Sequence, residues 1–179
     1  MAKDRKIDVV ILGLLSHEDL TGYDIKKLID GAISFFWKGS FGSIYPALNA
    51  MESEGKISRY KADDSGNREK ILYHITDKGS EVLKSWLKDE KAVNELKYET
   101  LLKLYFGGVE SPEVTIGNIE IFEKNIMNDL EILKMYKQNL EKAPDNEDHR
   151  YYLLTVLFGI ESYEAYLRWC SKAKKILKK

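Results

Sequence analysis

One cysteine, Cys170, stands alone in 179 residues. It has no partner for an intramolecular disulfide or a cysteine-based zinc site, so secreted disulfide scaffolds and zinc fingers are excluded and a reducing cytoplasm is the expected compartment. Proline and glycine are scarce, at three and twelve, which excludes collagen-like and low-complexity disordered chains. The three histidines, His17, His74 and His149, are isolated. No His-Glu-x-x-His pair, nucleophile elbow, phosphate-binding glycine loop or Cys-x-x-Cys accompanies them, so no enzyme, metal site or cofactor is expected. No apolar run approaches the roughly 20 residues of a membrane helix. The start, with basic residues ahead of Val9 to Leu15, imitates a signal peptide. Asp8 heads that run and His17-Glu18-Asp19 follows it instead of a small-residue cleavage site, so it reads as a buried first helix. An excess of positive charge is also missing: the net charge is −1. Basic residues outnumber acidic ones only locally, five to three between Lys56 and Lys70, so any affinity for a polyanion must rest on local charge.

What the chain does have is apolar and aromatic surface, 44% hydrophobic residues with three Trp, eleven Tyr and six Phe, enough for a real core. The patterning is mostly helical. A first helix is expected from about Asp4 to Leu15, apolar on nearly every side. Thr21 opens a second as N-cap, with Asp24 three residues on, an inward stripe of Tyr23, Ile25, Leu28 and Ile29, and a stop at Gly31. A third ends at Gly55, a residue suited to the left-handed position after a helix. Pro46 must lie within its first turn, which makes Ser43 a better N-cap than Ser40. Ile44, Leu48 and Met51 follow helical spacing and read as core. Segments 57–62 and 70–75 then read as two short strands around the polar turn 63–67, and Thr76-Asp77-Lys78-Gly79 caps a fourth helix carrying Val82, Leu83, Trp86 and Leu87. Three helices followed by a two-stranded wing is the winged helix-turn-helix plan.

The remainder is helical. After Gly107-Gly108, Ser111-Pro112-Glu113 is a strong helix start, and the helix runs to about Leu140 with Ile119, Ile126, Leu133 and Leu140 seven apart. Pro144-Asp145-Asn146 breaks it. The last helix carries Leu153, Val156, Ile160, Tyr163, Leu167 and Cys170 at alternating spacings of three and four, a coiled-coil-like seam. Leu157, Phe158, Tyr166 and Trp169 widen that stripe beyond what one partner helix covers, which calls for a second subunit. The expected organisation is a winged helix-turn-helix domain over residues 1–90 and, over 91–179, an antiparallel helix pair that dimerises and responds to an effector.

At the third helix and the hairpin the sequence resembles the PadR family of bacterial transcriptional regulators. The resemblance is carried by Gly42-Ser43-Ile44-Tyr45-Pro46-Ala47-Leu48 with Glu52 and Gly55-Lys56-Ile57, and by Lys70 through Tyr73 to Ile75-Thr76-Asp77-Lys78-Gly79. Ile11-Leu12-Gly13-Leu14-Leu15 and Thr21-Gly22-Tyr23-Asp24-Ile25 add to it. Leu102 to Gly107, Phe158-Gly159-Ile160 and Tyr166-Leu167-Arg168-Trp169 resemble the C-terminal domain of the longer members. Ile75 departs from the commoner Leu, and Asn67 and Glu69 dilute a usually more basic wing. The resemblance implies a homodimeric repressor bound to operator DNA and released by a small molecule, frequently aromatic or lipophilic.

In a helix-turn-helix, side chains near the start of the recognition helix reach base edges, while hydroxyls, amides and basic groups position the backbone. Ser40, Ser43, Tyr45 and Asn49 are the candidates. Ser43 has a competing duty as N-cap, Tyr45 can pack by its ring while its hydroxyl reaches a phosphate, and Asn49 reads equally as an exposed spectator. Arg68 and Lys70 on the wing are candidates for phosphate or minor-groove contact, with a solvated charge as the plain alternative. Trp86, Tyr105, Tyr163 and Trp169 are candidates for an effector pocket between the two domains, against ordinary core aromatics. Leu153, Val156, Ile160, Tyr163 and Leu167 are assigned to dimerisation. A winged-helix module that binds protein instead of DNA is the competing function, favoured by the near-neutral charge.

Overall fold

Ten residues that are almost all apolar make the first helix, α1 (Lys6–Leu15), a packing element on most of its circumference, and Ile7, Val9, Ile11, Leu12 and Leu15 are buried. The computed structural model describes residues 6–37, 41–62, 70–92, 94, 97–143 and 147–178. The chain divides into two units, Met1–Val93 and Asn94–Lys179.

In the N-terminal unit, strand β1 (Leu20–Thr21) leads directly into helix α2 (Gly22–Asp30). Thr21 caps α2 through a complete capping box: its hydroxyl oxygen accepts from the Asp24 amide at 3.1 Å and the Asp24 carboxylate accepts from the Thr21 amide at 3.2 Å. Gly31 follows as the C-cap. The expected inward stripe holds only for Ile25 and Ile29; Tyr23 is 70% exposed and Leu28 is also largely outside. Successive helical residues turn by about 100°, so Tyr23 points almost opposite to Ile25 and the two cannot share a face.

Helix α3 (Ile44–Ser53) presents Ile44, Ala47, Leu48 and Met51 to the core. Strands β2 (Ile57–Ala62) and β3 (Lys70–Ile75) pair antiparallel, Ile57 opposite Ile75 and Ala62 opposite Lys70. The expected two-stranded wing gains a third strand at its root, because β1 pairs with β3 in the order β1-β3-β2, Leu20 opposite Tyr73. Two residues are too short for an alternating pattern to show in sequence. Helix α4 (Asp77–Leu87) is capped by the Thr76 hydroxyl, which accepts from the Gly79 amide. Val82 and Leu83 pack on the core, while Trp86 is partly exposed beneath the Lys6 ammonium, 5.4 Å from its ring centre.

The C-terminal unit contains α5 (Glu99–Tyr105), α6 (Pro112–Lys142) and α7 (Glu147–Leu177). Pro112 sits in the first turn of α6 after Ser111 at the N-cap position; the Ser111 hydroxyl does not cap the backbone but bonds the Glu113 carboxylate, which lowers that acid's pKa. Helices α6 and α7 have 31 residues each, so each is about 46 Å long. They pack together along Ile119, Ile126, Leu130 and Leu133 on one side and Val156, Ile160 and Cys170 on the other, all buried. The approach is close at Gly159, where an added Cβ would lie 2.9 Å from Leu133 Cδ1.

Candidate nucleic-acid interface

Helix α3 is held at both ends by its surroundings. At its C-terminus Gly55 adopts φ 69°, its amide donates to the Glu52 carbonyl at 2.9 Å and the Lys56 amide to the Met51 carbonyl at 2.9 Å. That pair of bonds is a Schellman motif, and the positive φ is what requires glycine. The turn into α4 then grips the same corner. The Thr76 hydroxyl donates to the Gly55 carbonyl at 2.8 Å, the Thr76 amide to the Lys56 carbonyl at 3.1 Å and the Lys78 ammonium to the Glu54 carbonyl at 2.6 Å. Gly79 lies so close that a Cβ there would come within 2.1 Å of the Lys56 carbonyl oxygen. The Thr76-Asp77-Lys78-Gly79 motif therefore caps α4 and clasps the end of α3.

At its N-terminus α3 rests on α2. Tyr45 is 56% exposed, and its ring lies over Gly22 so tightly that a Cβ on Gly22 would be 2.8 Å from the ring edge. The ring is seated on bare backbone, with much of the side chain left to solvent. Asn49, one turn further along, is exposed on the same face. Ser43 occupies the N-cap position with helical backbone angles and makes no side-chain capping bond, so the capping duty expected of it is not performed. Lys70 is exposed at the start of β3. Ser40 and Arg68 lie outside the described residues. Tyr45 and Asn49 thus share an exposed face of α3, one turn apart, and Ser43 stands just ahead of the helix.

Sequence reasoning missed two features of this surface. Tyr23, expected inside, stands exposed next to Gly22 and so beside the Tyr45 seat. The wing is also tied to the helices: Arg59 on β2 pairs with Glu52 on α3 at 2.9 Å, and Asp19, just before β1, accepts from the Tyr60 hydroxyl at 2.6 Å and lies 2.7 Å from His74 Nδ1. The Tyr60 hydroxyl bond, and after it the His74 bond, hold the Asp19 carboxyl below its ordinary pKa, and Tyr60 is raised by the same bond. Tyr60 and His74 are 41 and 55 residues from Asp19; no local pattern links them.

In the C-terminal unit Tyr163 and Trp169 join one aromatic cluster. Phe122 meets Tyr98 and Trp169 edge-to-face, Tyr166 packs on Tyr98 and Tyr163, and the Tyr98 hydroxyl donates to that of Tyr166 at 2.7 Å. Burial and this bond push the Tyr98 phenol well above its ordinary pKa. Tyr105 is not part of it: it is 83% exposed, against Phe106. Trp86 belongs to the N-terminal unit. The seam residues assigned to dimerisation turn toward α6 within one chain, Val156 and Ile160 buried and Leu153, Tyr163 and Leu167 half-buried. Their spacing of three and four describes the hairpin's own seam. The apolar surface left uncovered on α7 is a different one, Tyr151, Leu154 and Phe158, with Phe158 70% exposed. Among the described residues no helix is long and apolar enough to cross a membrane.

Residues 11–85 match the PadR-like family of transcriptional regulators and residues 96–178 the C-terminal region of virulence activator alpha. The chain is similar to the negative transcriptional regulator PadR of Bacillus subtilis, 35% identical over 103 residues, a stretch that covers 57% of each chain and hence less than two thirds of that relative. Its fold resembles that of Bacillus subtilis PadR in complex with operator DNA, at TM-score 0.84 and 26% identity, over 97% of this chain and 99% of that one. It also resembles PadR of the same organism in complex with p-coumaric acid, at TM-score 0.78 and 25% identity, over 98% and 100%. Residues 11–85 are thus a PadR-like transcriptional-regulator domain, followed at 96–178 by a C-terminal region of the virulence-activator type.

Proposed function

We propose that the chain is a homodimeric repressor that binds an inverted repeat in operator DNA and is released by a small aromatic effector. The observation that carries DNA binding is the seat of Tyr45. A ring fixed against Gly22 loses little further freedom when its hydroxyl meets a phosphate, and Asn49, exposed on the same face, would be the side chain that enters the major groove. Lys70, and Arg68 beside it in sequence, would add phosphate or minor-groove contact from the wing. The operator complex of Bacillus subtilis PadR supports this use of the fold. A protein acting on chromosomal DNA would work in the cytoplasm.

Dimerisation is supported by Tyr151, Leu154 and Phe158, an exposed apolar stripe on the face of α7 opposite the intrachain seam. Two copies related by a twofold axis would cover it, and twofold symmetry in the protein asks for an inverted repeat in the DNA. The effector reading is supported by the p-coumaric acid complex of Bacillus subtilis PadR. Tyr163 and Trp169, joined through Tyr166 and Phe122, are the aromatic groups proposed to sense such a ligand.

The test is a footprint on the DNA upstream of the chain's own gene across a series of salt concentrations, repeated with aromatic carboxylates. Protection of two half-sites, weakening steeply with salt and lost with effector, is the expected result. The net charge of −1 favours a second reading, a winged-helix module that binds protein; absence of salt-dependent protection on any fragment of that region would favour it over the first.

A further inference from the structure

The short stretch 19–22 contacts both strands of the wing, α2 and the Tyr45 ring. Asp19 bonds Tyr60 on β2 and His74 on β3, Leu20 and Thr21 extend the sheet beside β3, Thr21 caps α2, and Gly22 carries the Tyr45 ring. The register explains how one carboxylate reaches two strands. Leu20 is opposite Tyr73, which sets Asp19 beside His74, and Ser58 is opposite His74, which puts Tyr60 on the same face of the hairpin two residues along β2. That face is the one turned away from the buried Ile57 and Tyr73.

We propose that Asp19 is a positioning residue for DNA recognition, fixing through Tyr60 and His74 the pitch of the wing relative to the recognition helix. Side chains this open to solvent, with 30% exposure for Asp19 and 54% for His74, add little to fold stability. Their effect is directional. A two-stranded ribbon can twist about its long axis and swing at its root, and a wing that swings must be ordered each time it meets DNA. One acid bonded to both strands removes that freedom in advance. Because it is four residues or fewer from the Tyr45 seat along an extended and capped segment, wing and recognition helix are set by one piece of backbone. Arg59 with Glu52 ties the opposite face of the hairpin to α3, so the root is held on both sides.

This inference rests on the DNA-binding reading, and the experiment separates the two. The full-length wild type, Asp19→Ala, Tyr60→Phe and the double variant are titrated on the operator fragment at several salt concentrations, with hydroxyl-radical footprints. Asp19→Ala is expected to bind roughly tenfold more weakly, with a salt slope shallower by about 1 and protection lost where the wing lies but kept in the major groove. Tyr60→Phe, which removes one hydroxyl from an exposed side chain, should move the same wing-side protection to a lesser degree. The double variant should be no worse than Asp19→Ala alone, and Asp19→Asn should recover part of the affinity because its amide oxygen still accepts from Tyr60. Wild-type protection with no wing-side change in either Asp19→Ala or Tyr60→Phe overturns the inference and leaves DNA binding intact. Uniform loss of protection at both elements also overturns it, as a general structural defect. Absence of wild-type protection overturns the DNA-binding reading itself.

Discussion

The two units are built from different kinds of constraint. In the N-terminal unit helices α2, α3 and α4 are each bounded by a specific backbone event: the capping box at Thr21, the positive φ of Gly55, and the Thr76 cap with the Gly79 contact. In the C-terminal unit two helices of 31 residues meet along a seam of interchangeable apolar side chains, and their other faces keep Ile121, Met135, Leu154 and Phe158 largely exposed. A unit fixed by backbone events has residues that can be assigned one by one. A unit fixed by a repeating stripe tolerates exchange, and its assignments belong to faces.

Gly79→Ala should break that contrast most forcefully. The new Cβ meets a carbonyl oxygen that is itself hydrogen-bonded, so the clasp on α3 must open; we expect a loss of about 3 kcal/mol or more by denaturant melting of the full chain. Phe158→Glu comes next and acts on association: sedimentation should show monomer, at a cost to dimer stability of about 2 kcal/mol or more, with monomer helicity by circular dichroism unchanged. Tyr45→Ala should weaken operator binding by roughly 1–2 kcal/mol in a fluorescence titration, with only a small fall in melting temperature from the lost contact with Gly22. Gly159→Ala sharpens the comparison from the other side. Its Cβ meets the flexible end of Leu133 and not backbone, so the expected loss is about 1 kcal/mol or less. The smallest effect is one of pH. The Asp19 carboxyl is depressed in the folded state, so its contribution to stability is full above the unfolded value near 4 and fades as pH falls through the folded one. The difference in melting temperature between wild type and Asp19→Asn should accordingly shrink on acidification; a constant difference down to about pH 2 would show that Tyr60 and His74 do not hold the charge.

Most of this fold could be read before the structure because its boundaries are local. Thr21 with Asp24, Pro46 with Gly55, Thr76 with Gly79 and Ser111 with Pro112 each announce a helix end within a few residues, and each end lies where they place it. What could not be read depends on partners far along the chain or on which side of a helix is free. The β1 strand is two residues with no periodicity of their own, defined only by pairing with β3. Tyr23 looks like core by type and is exposed by geometry. The stripe of α7 was visible, but a helix with apolar residues on two faces does not say which face its own chain covers. Of the candidate site, Tyr45 and Asn49 are exposed on α3, as residues proposed for contact must be; the glycine that seats Tyr45 emerged only from the distance between two helices.

The grip on the end of α3 has a consequence for how such a surface can change. It acts on the carbonyls of Glu54, Gly55 and Lys56, beyond the last helical residue, and so demands nothing of the side chains at Tyr45 and Asn49. Asn49 takes no part in that grip, and Tyr45 bears on Gly22 at the other end of the helix. They form an address that can be rewritten, by drift or by design, while the helix that displays it keeps its place.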